Sequence, residues 1–121
     1  MQAPYSLEKS ELALDILLKL IQRNKIICAD MFYLSLEKAG FDELERVRFS
    51  GASMRKSASM GWTQKTDKAV NSKRNSSNLQ RIWISHKYGF DSQKNPIALK
   101  ELEAEKKHWG QWGYNILNTE A

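Results

Sequence analysis

The sequence predicts an α+β fold in which three helices precede a two-stranded β-hairpin and a further helix lies at the C-terminus. Up to about residue 60, apolar residues recur three and four positions apart, which indicates helices. After Gly61 the pattern changes to short runs rich in Trp, Thr and Ile, which is typical of strands. With 121 residues, 41% of them hydrophobic, the chain is long enough to bury one core.

The first helix is predicted from an N-cap at Ser6 to about Asn24, because Leu14, Leu17 and Ile21 share one helical face. The β-branched run at residues 25–30 is predicted to be a small strand or an extended connection. Asp30 then stands where an N-cap is expected, before a short second helix that Gly40 ends.

The third helix is predicted to follow an acidic loop, residues 41–48, and to end at Gly61. The hairpin is predicted from two runs rich in Trp, Thr and Ile, residues 62–66 and 79–85, joined by a long tip rich in Asn, Ser and Lys. Asn95 followed by Pro96 predicts an N-cap and the first residue of a last helix, which extends through about His108.

The positive charge of the chain is concentrated in its middle. Between residues 46 and 87 there are ten Lys or Arg residues and a single acidic residue, Asp67, whereas the whole chain carries +5. Clustered cations create a local potential that attracts polyanions such as nucleic acids. A solvated charged surface is the simpler alternative.

The order helix, short strand, helix, helix, hairpin resembles the winged helix-turn-helix fold of DNA-binding proteins. Positions along the third helix and the hairpin are similar to small winged-helix proteins encoded by bacteriophages and prophages: Gly51, Met54, Arg55, Ala58, Gly61, Trp62, Val70, Ser72, Lys73, Arg74, Arg81, Trp83 and Ser85. The resemblance covers roughly residues 10–86. It implies a winged-helix domain at residues 1–90, with residues 91–121 as a C-terminal helix and an aromatic tail.

A helical wheel of the third helix predicts an inner face of Val47, Gly51, Met54 and Ala58. The polar outer face is slim enough to enter a major groove, where hydroxyl groups can bond to either kind of base edge. The predicted DNA-binding residues of this helix are Ser50, Ser53, Arg55, Lys56 and Ser57. The alternative is that these serines are ordinary surface residues.

The hairpin supplies the predicted contacts to the DNA backbone. Its cations are expected to bind phosphates and so to fix the position of the third helix in the groove. They are Lys65, Lys68, Lys73, Arg74 and Arg81. The alternative is a hairpin kept basic to protect an exposed sheet edge, a common use of lysine.

The apolar C-terminal segment has two interpretations. It either folds back to complete the core or forms a homodimer or partner contact through Leu99, Leu102, Trp109 and Trp112. Cys28 is alone and is expected to be a buried small hydrophobe; paired with His86 as a nucleophile, it would have only composition in its favour.

The predicted function is sequence-preferring binding of double-stranded DNA without catalysis, in transcription regulation or as a replication accessory factor of phage or mobile-element type. A protein-interaction module that binds an acidic partner is the first alternative, and an RNA-binding or nucleic-acid-processing accessory protein is the second. No cofactor, metal, small-molecule ligand or membrane contact is expected. The expected location is the cytoplasm of a prokaryotic cell or a phage-infected host, in association with the nucleoid.

Overall fold

A computed structural model of the chain describes residues 7–74 and 78–114. These residues form four helices and three strands, so the predicted α+β class is confirmed. In chain order they are α1 (Leu7–Arg23), β1 (Ile26–Cys28), α2 (Ala29–Lys38), α3 (Glu43–Ser59), β2 (Thr63–Asn71), β3 (Leu79–Ser85) and α4 (Leu99–Gln111). The predicted cap at Ser6, the hairpin tip at residues 75–77 and the tail beyond residue 114 lie outside the described residues.

The strands form one antiparallel sheet in the order β1-β3-β2. The predicted hairpin of β2 and β3 is confirmed, and the short run at residues 26–28 is indeed a strand. The predicted first strand was too short, because β2 continues to Asn71 and pairs with β3 through the first part of the expected tip. Ile27 of β1 and Lys65 of β2 both lie opposite Trp83 of β3. The strand β3 is therefore central, and it connects the basic hairpin to the core.

The core lies where α1, α2 and α3 pack against one another and against the sheet. Its largest fully buried apolar side chains come from α1, β1 and α2: Leu17, Ile21, Ile27, Met31, Phe32 and Leu36. Both C-terminal glycine predictions are confirmed, because α2 and α3 end just before Gly40 (φ +93°) and Gly61 (φ +78°). A residue with a β-carbon is strained at such angles.

The predicted N-cap at Asp30 is wrong, because α2 begins two residues earlier than expected, at Ala29, with Cys28 as its N-cap. Asp30 therefore lies in the first turn of the helix. Its side chain bonds to distant parts of the chain instead of capping its own helix.

The predicted acidic loop at residues 41–48 is also wrong, because most of it is the start of α3. Asp42 is the N-cap, and it forms a capping box in which its side chain accepts from the Glu45 amide and the Glu45 side chain accepts from the Asp42 amide. Lys9 of α1 forms an ion pair with Glu45 and ties α1 to this capping box. As a result α3 starts six residues earlier than expected, between one and two helical turns.

The last helix starts later than predicted, at Leu99, because Pro96 pairs with Phe90 in an isolated bridge instead of opening the helix. Glu105 anchors α4 to the residue that follows α1, since its carboxylate accepts from Asn24 at 2.9 Å; it also accepts from the Trp109 indole one turn further along α4, at 2.9 Å. Trp109 and Tyr114 are part of the core cluster.

The buried position of Trp109 corrects its expected role as a surface contact for a partner. Leu99 and Trp112 remain exposed, and Leu102 is half-buried. The described part of the C-terminal segment thus helps to complete the core through Trp109 and Tyr114.

Candidate nucleic-acid interface

The inner face of α3 is a stripe of residues four positions apart: Glu45, Phe49, Ser53 and Ser57 are all buried. The predicted outer face is therefore wrong at Ser53 and Ser57. Val47, which was predicted to lie inside, is 63% exposed. Phe49 sets the orientation of the helix, because burying its large ring gains more free energy than burying Val47.

Ser57 shows why small polar residues lie on this inner face. Its hydroxyl donates to the Met54 carbonyl at 2.7 Å and lies 2.8 Å from the Thr63 hydroxyl at the start of β2. The short side chain allows α3 to approach the sheet closely while every buried hydroxyl keeps a partner. Ser57 thus positions the helix against the hairpin and does not face solvent.

We call the exposed residues of α3 that follow Glu43 its outward face: Leu44, Val47, Arg48, Ala52, Arg55, Lys56 and Ser59. It retains the predicted Arg55 and Lys56, with Ser50 half-buried at its edge. It also includes Arg48 and two strongly exposed aliphatic residues, Leu44 and Val47, that sequence reasoning missed. A wheel oriented on Phe49 would have revealed them.

The cations of the hairpin are exposed at all five predicted positions: Lys65, Lys68, Lys73, Arg74 and Arg81. Lys65 lies opposite Trp83, with its ammonium 6.0 Å from the ring centroid. The strand register shifts between Lys65 and Ala69, and Arg81 donates to the Thr66 carbonyl within this irregular part at 3.2 Å. A bulge of this kind twists a strand and changes the direction of its side chains.

Arg74 differs from the other cations of the hairpin because it is held by the fold. Its Nε donates to Asp30 at 3.2 Å, and its guanidinium carbon lies 3.4 Å from the centroid of the Tyr33 ring. Arg46, on the α3 side, lies 5.0 Å from the same ring centroid. These two arginines therefore stabilise the packing around Tyr33, and Arg74 is less available for a phosphate than predicted.

Asp30 joins α2, the hairpin and the segment after α4. Its carboxylate, 2% exposed, accepts from the Ser72 hydroxyl at 2.9 and 3.0 Å, from the Lys73 amide at 2.8 Å and from the Tyr114 hydroxyl at 2.6 Å. The Asp30 amide donates to the Gln80 side chain at 2.8 Å. We call Asp30, Ser72, Lys73, Arg74 and Tyr114 the Asp30 cluster.

The carboxylate of this cluster is ionised despite its burial. Burial by itself would raise the pKa of Asp30, but hydrogen bonds from Tyr114, Ser72 and the Lys73 amide outweigh it and hold the pKa below the usual value. Burial and the neighbouring carboxylate raise the pKa of Tyr114 far above its ordinary range. Tyr114 therefore remains a donor, and at neutral pH the hairpin is attached to α2 through a negative charge.

Cys28, the single cysteine of the chain, is not placed for nucleophilic chemistry. Cys28 is fully buried, and burial raises the pKa of its thiol to about 12, so the thiol stays protonated. Within residues 7–74 and 78–114, no three His, Cys, Asp or Glu side chains group as metal ligands would. In the same ranges, none of the helices is both long and apolar enough to cross a bilayer.

Neither a known protein family, nor a curated protein, nor a solved structure is detectably similar to this chain.

Proposed function

We propose that this protein binds double-stranded DNA, with the outward face of α3 in the major groove and the hairpin on the phosphate backbone. The observation that carries the proposal is the exposure of Arg55 and Lys56 on α3, in a segment whose hairpin also exposes Lys65, Lys73 and Arg81. This surface follows one continuous stretch of chain in which Asp67 is the only acidic residue after Glu45 and before Asp91. Such a surface favours a polyanion over a neutral partner.

The arrangement of the elements supports a winged helix-turn-helix interpretation. The order α1-β1-α2-α3-β2-β3 is the one that the sequence resemblance implied, and β3 lies between β1 and β2. In this interpretation α3 is the recognition helix and the β2-β3 hairpin is the wing. A transcription regulator or a replication accessory factor, of phage or mobile-element type, is the role we propose.

The two parts of the surface have different tasks in this proposal. Arg48, Arg55 and Lys56 are long donors that can reach base edges or phosphates from a helix whose outward face is otherwise small at Ala52 and Ser59. The cations of the hairpin bind phosphates, which positions the protein without reading sequence.

The test is fluorescence anisotropy of a labelled 30-base-pair duplex with the wild type and two double variants. R55A/K56A removes charge from the outward face of α3, and K106A/K107A removes the same charge from exposed positions of α4. We expect R55A/K56A to weaken binding at least tenfold and K106A/K107A to change it less than twofold. Equal losses in the two variants would mean that only net charge matters and would contradict the proposed interface.

A protein-interaction module is the second candidate, and one observation favours it. Leu44 and Val47 are 72% and 63% exposed on the outward face of α3, and exposed aliphatic residues are common where proteins meet. In that case micromolar protein would leave the duplex unbound. An RNA duplex of the same sequence, added as a competitor, distinguishes the RNA-binding alternative.

A further inference from the structure

An open cavity of about 430 Å³ lies at the base of the hairpin, between the C-terminal half of α1 and the loop that follows β3. Its lining includes two aromatic rings, Trp62 and Phe90, two lysines, Lys87 and Lys94, and the amide of the buried Gln22. The volume is in the range of small-ligand sites. None of these residues belongs to the surface proposed above.

The walls of the cavity are held in place by the backbone. The His86 amide donates to the Trp62 carbonyl at 2.9 Å, and the Gly89 amide donates to the Gln22 carbonyl at 2.8 Å. The Asp91 carboxylate accepts from the amides of Gln93 and Asn95, both at 2.9 Å, and so fixes the turn that presents Lys94. The site is therefore formed before any ligand arrives, which lowers the entropic cost of binding.

The chemistry of the lining identifies a ligand class. Aromatic rings stack on the flat face of a nucleobase, and lysines bind an adjoining phosphate. The amide nitrogen of Gln22 already donates to the Ser92 hydroxyl of the lining at 3.2 Å, so it helps to shape the wall. The negative charge of Asp91 is already compensated by backbone amides, so Lys87 and Lys94 give the site a net attraction for anions. A purely aliphatic ligand would leave both lysines unused.

We infer that this cavity binds an unpaired nucleobase together with its phosphate, supplied by a single-stranded extension of the bound duplex. The inference rests on the proposed function, because Trp62 follows the last residue of α3 by only three positions. A strand that leaves a duplex at the end of α3 thus meets the cavity next. The preferred substrate would be a junction between double-stranded and single-stranded DNA.

The experiment compares three kinds of DNA that share one duplex sequence. The first is blunt, the second carries a four-nucleotide overhang at one end or the other, and the third carries the same overhangs without bases. Stacking of one base predicts about tenfold tighter binding of one overhang over the blunt duplex. The abasic overhang keeps the phosphates but lacks the bases, so we expect it to bind like the blunt duplex. Equal affinity for all three, or a gain that persists without bases, would overturn the inference.

Two variants test whether the tighter binding of the overhang duplex relative to the blunt duplex, called the overhang gain, arises in this cavity. Phe90 is 52% exposed, so F90A should remove most of the overhang gain while leaving the blunt-duplex affinity unchanged. K94N removes a lysine at a position with φ +67°, which Asn tolerates, and should reduce the gain about threefold. W112A, at a similarly exposed aromatic position on another part of the surface, is the matched control and should retain the full gain. A loss in W112A equal to that in F90A would contradict the assignment.

A free nucleotide carries the same base and phosphate and is therefore the alternative ligand of the cavity. Millimolar dAMP should abolish the overhang gain without displacing blunt duplex, whereas micromolar binding of dAMP in the absence of DNA would assign the cavity to a free nucleotide and overturn the strand proposal. If the blunt duplex does not bind, the proposed function is contradicted, but the inference about the cavity is not. In that case a single-stranded 12-mer with and without bases still tests the cavity.

Discussion

Asp30 connects parts of the chain that lie far apart in sequence. Its partners Ser72 and Tyr114 are 42 and 84 residues away, so no local pattern could have revealed them. From the sequence, an aspartate before an apolar run predicts an N-cap, and that rule fails here because a buried carboxylate needs several donors at once. The hairpin and the C-terminal segment provide those donors.

Replacing Asp30 by Asn should destabilise the protein by about 2–4 kcal/mol at pH 7, because a neutral amide cannot accept from all of the donors around it. D67N, which neutralises an exposed carboxylate of the hairpin, should cost less than about 0.5 kcal/mol. Urea denaturation measures both values. Equal stability of D30N and the wild type would mean that the Asp30 cluster does not hold the hairpin.

The same residue predicts a pH dependence. Since the pKa of Asp30 is lowered by folding, its contribution is complete above the ordinary aspartate pKa of about 4 and is lost as the pH falls through the lower pKa of the folded state. The stability difference between wild type and D30N should therefore be constant from pH 7 to 5 and shrink below about pH 4. A difference that shrinks between pH 7 and 5 would contradict this assignment.

Ser57 was predicted to read DNA, but its burial instead predicts an effect on stability. S57A leaves the Thr63 hydroxyl without this partner and should cost about 1 kcal/mol in thermal or urea denaturation. DNA affinity below the melting temperature should not change. S59A, at an exposed serine of the same helix, is the control, and a greater loss of DNA affinity in S57A than in K56A would restore the sequence-based interpretation.

At the scale of the elements, β3 was predicted accurately, whereas β2 was predicted too short and the starts of α2, α3 and α4 were wrong. The limits of β3 and the ends of α2 and α3 followed from β-branched and aromatic runs and from glycines, which act locally. The start of α3 was missed although Asp42 and Glu45 have the spacing of a capping box. Pro96 was predicted to begin the last helix, but a proline is equally acceptable beside a bridge at the edge of a loop.

The capping box of α3 gives a prediction for that element. D42A removes the side-chain acceptor of the Glu45 amide and should lower stability by about 1 kcal/mol, or the melting temperature by about 4 °C. D42S keeps a capping oxygen and should lose less than half as much. Circular dichroism measures the melting of both proteins. Identical melting temperatures of D42A and the wild type would show that packing against α1 suffices to start the helix.

At the scale of the whole molecule, the sequence predicted where the positive charge lies. It did not predict which of the charged side chains remain available to bind a polyanion. The basic segment between residues 46 and 87 includes Arg46 and Arg74, which the fold uses around Tyr33. Side-chain partners of this kind depend on how α2 meets the hairpin, and charge counting cannot show that. The surface left for a polyanion is smaller than the composition suggests, and it is divided between α3 and the hairpin.

The salt dependence of DNA binding tests this divided surface most directly. Four to five phosphate contacts predict that the logarithm of the affinity for one duplex falls with the logarithm of salt concentration at a slope of about −4. K65A/K73A should flatten the slope by about 1 to 2 and weaken binding to all sequences alike, because both lysines lie on the hairpin. A slope near zero in the wild type, or an unchanged slope in K65A/K73A with its fold intact by circular dichroism, would contradict the account.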